Sequence, residues 1–256
     1  MTPTLAPIVP RAGAGPGWTY GTERVRVDIT QHEARGVVYF TAEIWLTSPS
    51  QLRSAFSSDK FNSATEAVDD IAMRNGAIVA INGDYATFNN GGVIIRNGML
   101  YRSNNSTRQM LVIDRNGDFI PYVNIPKDAK STAAALLDEQ IRHTLVFGPV
   151  LVADGAAVQL PKKFFISTGA TTEPRTAIAQ LGPLHYMFIV VDGRREGYSQ
   201  GVSLTRLQEL CLEYGAITAF NLDGGGSSTL VFQNNVINKP ANGGLRQVPD
   251  ILYIGE

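Results

Sequence analysis

The chain has 256 residues, 44% hydrophobic and 18% charged, which is too apolar for a disordered polymer and long enough to bury a sizeable core in one domain. Its 22 basic and 23 acidic residues leave a net charge of −1, and no window interleaves dense basic residues with aromatics, so nucleic acid is not expected as a partner. A single cysteine, Cys211, rules out an internal disulfide and a cysteine-based zinc site, and no apolar run approaches the roughly 20 residues that span a bilayer.

The opening TPTLAPIVPRAGAGPG is rich in Pro, Gly and Ala and lacks the basic-then-apolar layout of a secretory signal. Residues 1–17 are therefore read as a flexible arm and 18–256 as the folded domain. From Val25 to Thr47 apolar and polar residues alternate in two β-branched, aromatic runs, which predicts two strands. Ser63 and Glu66 have the spacing of a capping box, Ala67, Val68, Ile71 and Ala72 recur at helical spacing, and Gly76 supplies a stop. A second helix is expected over Thr132 to Arg142. In a third, Thr205 and Gln208 form the box, Leu204, Leu207, Leu210, Cys211 and Tyr214 line one face, and Gly215 ends it. On that apolar face Cys211 reads as a core residue and not as a nucleophile.

The segments after the first and third helices repeat one another. GAIVAINGD, Gly76 to Asp84, and GAITAFNLD, Gly215 to Asp223, agree at Gly, Ala, Ile, Ala, Asn and Asp. Each is a helix stop, a short apolar run of strand length and an Asn-x-Asp at its end, followed by a hairpin whose turn falls at Asn97-Gly98 or at Asn234-Asn235. This predicts an α+β fold with flanking helices, in which a pseudo-repeat of helix, strand and hairpin brings Asn82/Asp84 and Asn221/Asp223 to a common region. Two copies are too few for a solenoid, so a single mixed sheet is expected.

The strongest local signal for chemistry is LDGGGSS, Leu222 to Ser228. Three glycines after a strand let a ligand approach the main chain, their amides can form an anion nest, and the Ser227 and Ser228 hydroxyls add donors. The spacing is neither a Walker loop nor a dinucleotide fingerprint. Arg175, after Pro174 and before an apolar run, offers a planar fork for phosphate, and Asp192-Gly193-Arg194 closes the strand MFIVV. Arg96, Arg102 and Arg246 add positive charge. Asp84, Asp192 and Asp223 lie at strand ends and would also suit a divalent cation, so that option stays open although no cofactor is required. None of the three histidines pairs at zinc spacing, and no Gly-x-Ser-x-Gly elbow appears.

Taken in order, INGDY (Ile81 to Tyr85), GVIIRNGMLYR (Gly92 to Arg102), FGPVLVADG (Phe147 to Gly155), PRTAIA, VVDGR, GVSLTRLQEL, NLDGGGSST and the closing NKPANGGLRQVPD resemble the phosphodiester glycosidase family, in its bacterial branch. Ala179 and Ala86 depart from that family's frequent glycine and aromatic. The resemblance implies a glycoside hydrolase that cuts the anomeric C–O bond of a sugar 1-phosphodiester of the N-acetylglucosamine-1-phosphodiester type, with a cell-surface glycan as a candidate substrate, working outside the cytoplasm. Asp223 would act as nucleophile or base, with Asp84 or Asp192 as the second carboxylate and Arg175 with Gly224, Gly225, Gly226, Ser227 and Ser228 as the phosphate grip. Arg102, Arg194 and Arg246 would assist, and Asn82 and Asn221 would orient carboxylates or sugar hydroxyls. Two other readings use the same residues: a metal-dependent phosphodiesterase and a non-catalytic module that binds a phosphoglycan. Oligomeric state is not decided by the sequence.

Overall fold

Alternation with a period of two produces the first hairpin. Val25–Ala34 and Val37–Leu46 pair antiparallel across the turn at Arg35 and Gly36, both at positive φ. The structure is a computed structural model that describes residues 17–256 apart from positions 89, 162, 165, 166 and 169; of residues 163, 164, 167, 168 and 242 only the backbone is described. The expected arm therefore lies outside the described residues except for Gly17, which opens the strand Gly17–Gly21.

That hairpin belongs to an eight-stranded sheet, ordered Gly17–Gly21, Val25–Ala34, Val37–Leu46, His185–Val191, Arg175–Gly182, Thr218–Asn221, Val150–Ala153 and Ala156–Ala157. A second sheet has the order Asn235–Val236, Leu230–Phe232, Val79–Asn82, Asp250–Ile254, Leu52–Phe56. A three-stranded sheet (His143–Leu145, Met110–Ile113, Phe119–Tyr122) and the hairpin Gly92–Arg96 with Met99–Asn104 close one side. Successive side chains sort by face. Phe188, Val190, Ile178 and Phe220 of the first sheet meet Ile81, Leu230 and Leu252 of the second. Their neighbours Met187, Ile189, Ala177 and Ala219 instead pack under helix α3, Leu204–Glu213. Ala80 and Ile251 of the second sheet pack under helix α1, Val68–Arg74. Helix α2, Ala129–Asp138, covers the hairpin and the three-stranded sheet. The result is an α+β fold in one domain, layered as helix, sheet, sheet, helix.

The single mixed sheet is corrected. Each repeat strand needs one face for its own helix and one for the shared core, and with α1 and α3 on opposite outsides the two strands fall into facing sheets; the pairings between named strands are antiparallel. The helix caps also shift. Ala67 precedes α1 with no side-chain cap, because Ser63 donates to the Ser57 carbonyl and Glu66 pairs with Arg74 and the Ser58 amide. At α3 the cap is Ser203, whose hydroxyl accepts from the Arg206 amide at 3.1 Å; Thr205 lies inside the helix, and Gln208 turns inward to the Leu151 and Val158 carbonyls. Asp128 caps α2, which starts and ends earlier than the pattern predicts. The second repeat hairpin turns at Gln233 and Asn234, one residue before the expected pair.

Candidate active site

The two repeat strands end side by side. Buried Asn82 donates through Nδ2 to the Asp223 carbonyl at 2.7 Å, and its Oδ1 accepts from the Thr176 hydroxyl at 2.9 Å and the Thr229 amide at 3.3 Å. One amide side chain thus stitches the end of the second sheet to the end of the first, and the Asp223 amide adds a long bond of 3.4 Å to the Gly83 carbonyl. Asn221 donates to the Gly148 carbonyl at 2.7 Å, while its buried Oδ1, Ser228 Oγ and Thr229 Oγ1 find no partner among the described residues.

Of the three strand-end aspartates, only Asp223 reaches the surface. It is half-buried, and its Oδ1 accepts from the Gly224 amide at 2.9 Å. Burial pushes its pKa up and the nearby Asp84 charge adds to the rise, while the Ser227 hydroxyl, the Arg246 guanidinium and the Gly224 amide pull it back. Asp84 is buried with both oxygens engaged, Oδ1 by Arg96 at 2.6 Å and Oδ2 by the Val146 amide at 2.6 Å. Arg96 also holds Asp250 at 3.0 Å, so two carboxylates share one fully buried guanidinium. The pKa of Asp250 rises to about 7 through burial and the Asp84 charge, against Arg96. Asp192 lies elsewhere. Its carboxylate clasps Asn238 at 2.8 Å, Tyr198 at 2.9 Å and the Lys239 amide at 3.0 Å, and burial raises its pKa against those bonds. The three carboxylates are not gathered at one point, and among the described residues no group of three His, Cys, Asp or Glu side chains is arranged to hold a metal ion.

The glycine loop is a short 3-10 turn at Gly225–Ser227 whose amides are largely spent: Gly224 on Asp223, Gly225 on the Pro174 carbonyl, Ser227 and Ser228 on Gly224 and Gly225. Its open anion nest is therefore not formed; the glycines serve close packing. A Cβ at Gly224 would lie 2.7 Å from the Pro174 carbonyl. Gly226 and Ser227 within the turn and Ser228 after it are buried. Arg175, on the adjoining strand, donates to the Val202 carbonyl at 3.2 Å and the Thr171 carbonyl at 3.0 Å, so its fork grips backbone. Arg194 pairs with Glu173 at 2.5 Å beside Gly225, and Arg102 donates to the Gly91 carbonyl with its guanidinium over Phe61. Exposed Arg246 stays close enough to Asp223 to favour its charge.

Sequence reasoning missed Arg108. It lies over the Phe147 ring, 5.3 Å from its centre, near enough to Asp84 and Asp223 for their charges to support its own. Its loop, Asn105 to Gln109, has no periodicity that would single it out. The Arg96 and Asp250 pairing left a fainter signal: a charge at the end of GVII and another opening ILYI, both in otherwise apolar strands.

Residues 75–255 match the family model for phosphodiester glycosidase. The SPbeta prophage-derived uncharacterized protein YomE of Bacillus subtilis (strain 168) is 32% identical over 198 residues, covering 74% of this chain and 29% of that protein, so the chain spans less than a third of that curated relative. The fold is similar to the catalytic domain of zebrafish N-acetylglucosamine-1-phosphodiester alpha-N-acetylglucosaminidase, auto-inhibited by its pro-peptide, with TM-score 0.75, 18% identity, and coverage of 92% of this chain and 84% of that one. It is also similar to a Synechocystis protein described as hypothetical, with TM-score 0.62, 16% identity, and coverage of 95% and 64%. At these identities the structural likeness is one of fold. The family match, in contrast, takes in both repeat strands, the glycine loop and the closing strand, and the chain belongs to the phosphodiester glycosidase family.

Proposed function

We propose that the chain hydrolyses the anomeric C–O bond of a sugar 1-phosphodiester of the N-acetylglucosamine-1-phosphodiester type, with Asp223 as nucleophile or general base. The observation that carries this reading is the contrast between the three strand-end carboxylates: Asp84 and Asp192 are buried with their oxygens engaged, and Asp223 alone is half-exposed at the junction of the sheets. A carboxylate so placed attacks the anomeric carbon or takes a proton from the water that does, as the bond from carbon to phosphate oxygen breaks. Water's hydroxyl ends on the sugar, and the phosphate leaves as a monoester. That leaving group is a weak base, so cations that hold its growing charge replace a strong general acid. Arg246 is one such cation. Asp84 acts at range, its charge bearing on Asp223 from below, and Arg175 holds the loop that carries Glu173 and Pro174 against the glycine turn. Gly224 to Ser228 form one wall with Arg194 beside Gly225, and Arg102 lies nearer Asp84.

A working place outside the cytoplasm and a cell-surface glycan as substrate are part of this proposal, supported by the family resemblance. No helix among the described residues is long and apolar enough to cross a membrane. The test is hydrolysis of a synthetic N-acetylglucosamine 1-phosphodiester in oxygen-18 water, by wild type and Asp223→Asn. The expected outcome is an unlabelled phosphate product and, in a variant that melts like wild type, loss of turnover. Label in the phosphate together with inhibition by chelators would replace the glycosidase with a metal-dependent phosphodiesterase. Binding without any released sugar would mark a phosphoglycan-binding module.

A further inference from the structure

A second set of groups lies beside Asp84, close enough to Asp223 for its charge to be felt. Tyr85, next in the chain to Asp84, stacks on Phe88 with ring centres 4.5 Å apart and meets Phe147 edge-on at 6.4 Å. Phe88 is 55% exposed. Arg108 lies over the Phe147 ring, and its charge is coupled to Asp223, Asp84 and Tyr85 together. The Arg108 amide donates to Ser106 Oγ at 3.0 Å, which fixes the loop that carries it. Ser106 borders the crevice shared with Arg108, and it also borders an open cleft of about 290 Å³ lined by Gly91, Asn105 and Thr107. Ser106 thus joins the crevice that Arg108 lines to a small open cleft.

We infer that Arg108 is the residue that receives the departing phosphate, and that the Gly91–Asn105–Ser106–Thr107 cleft beyond it takes a polyhydroxylated alcohol portion of the diester. The inference rests on the glycosidase reading and assigns it two further positions. As the anomeric bond breaks, the phosphate goes from a singly charged diester toward a doubly charged monoester, and a guanidinium already half-desolvated on an aromatic face favours that growing charge. The cleft lies at the lower end of the roughly 300–1,000 Å³ common for ligand sites, which suits a glycerol-sized or single-ring group. Asn105, Ser106 and Thr107 in its lining carry groups that can bond to hydroxyls.

The experiment compares two diesters of N-acetylglucosamine 1-phosphate, one with methanol and one with glycerol, on wild type and on Arg108→Gln, Arg108→Lys and Thr107→Trp. Glycerol phosphate binding is measured by calorimetry on the same proteins. Arg108→Gln is expected to lower kcat on both diesters by about a hundredfold, the cost of removing a donor to a developing anion. Arg108→Lys, which keeps the charge and the stem, is expected to fall between the two. Thr107→Trp fills the cleft, and is expected to reduce the preference for glycerol over methyl diester by about tenfold, read as the ratio of kcat/KM. Folded Arg108 variants with wild-type kcat would overturn the phosphate assignment, and an unchanged ratio in Thr107→Trp would overturn the cleft. If wild type turns over neither diester yet binds glycerol phosphate through Arg108, the subsite stands and the glycosidase reading falls. If it does neither, both fall.

Discussion

Asp223 must be ionised to act as nucleophile or base, and its pKa is raised by burial and by Asp84, so activity is expected to climb with pH through a midpoint above the usual carboxylate range. Arg246 pulls in the other direction, so Arg246→Gln is expected to move the acid limb of kcat/KM further up. A limb that stays in place, or moves down, would remove Arg246 from the site. Beneath Asp223, Gly83 has a different job. A Cβ there would lie 2.4 Å from the Asp250 carboxylate, which is locked by Arg96 and has nowhere to retreat. Gly83→Ala is expected to cost about 1–3 kcal/mol as an overpacked core site, read as a lowered melting temperature. A variant that melts like wild type would show that Arg96 and Asp250 have room to shift. At this scale the sequence disclosed the residues that stand beside a break in a pattern, Asp223 after an apolar strand and the glycines that follow it. Arg108 stayed hidden because its neighbourhood is made by folding: the rings of Tyr85 and Phe147 reach it from distant segments.

Secondary elements are legible where burial imposes a period and blurred where one hydrogen bond decides the boundary. The strands Val25–Ala34 and Val37–Leu46 and the apolar face of α3 follow from residue spacing alone. The caps do not, because Ser203 and Thr205 offer the same hydroxyl two positions apart, and the choice depends on where the chain leaves Val202, itself paired with Glu173. The two hydroxyls can be told apart. Ser203→Ala is expected to lower stability by about 1 kcal/mol through the lost cap, and Thr205→Ala to change it far less. Equal losses in chemical denaturation would restore the Thr205 cap. The repeat is the deepest element-level inference available from sequence. The spacing Asn-x-Asp predicts a meeting point, and Asn82 bridges to Asp223 there. It does not reveal that the strands belong to different sheets, since an apolar run buried on both faces reads alike in one sheet or in two.

At the scale of the whole molecule, His143 joins three parts. From the three-stranded sheet it bonds the Leu52 carbonyl of the second sheet at 3.1 Å and faces the Asn97 amide of the hairpin at 3.4 Å, a pattern that suits the neutral ring. Burial and the Arg96 charge hold its pKa down at about 3. A depressed folded-state pKa contributes stability above the unfolded value near 6.5 that is lost as pH falls toward 3. Asp250, raised to about 7, runs the other way, contributing at low pH a stability lost as pH rises through 7, so the two partly cancel in wild type. His143→Gln is expected to melt lower at pH 7 and to lose less between pH 7 and pH 5 than wild type does; an equal loss would mean that His143 is not the group that titrates. The second sheet adds a matter of timing. Its strands Leu52–Phe56 and Val79–Asn82 are not neighbours, because Asp250–Ile254 lies between them and pairs with both. In a growing chain each of those two early strands is expected to keep an edge unpaired, and open to aggregation, until the Asp250–Ile254 strand arrives. Asp250 arrives with it, and only then can Arg96, Asp84 and the Gly83 backbone that braces Asp223 settle. A nascent chain that has already synthesised Asp223, Arg108 and Arg246 therefore still lacks the finished candidate site.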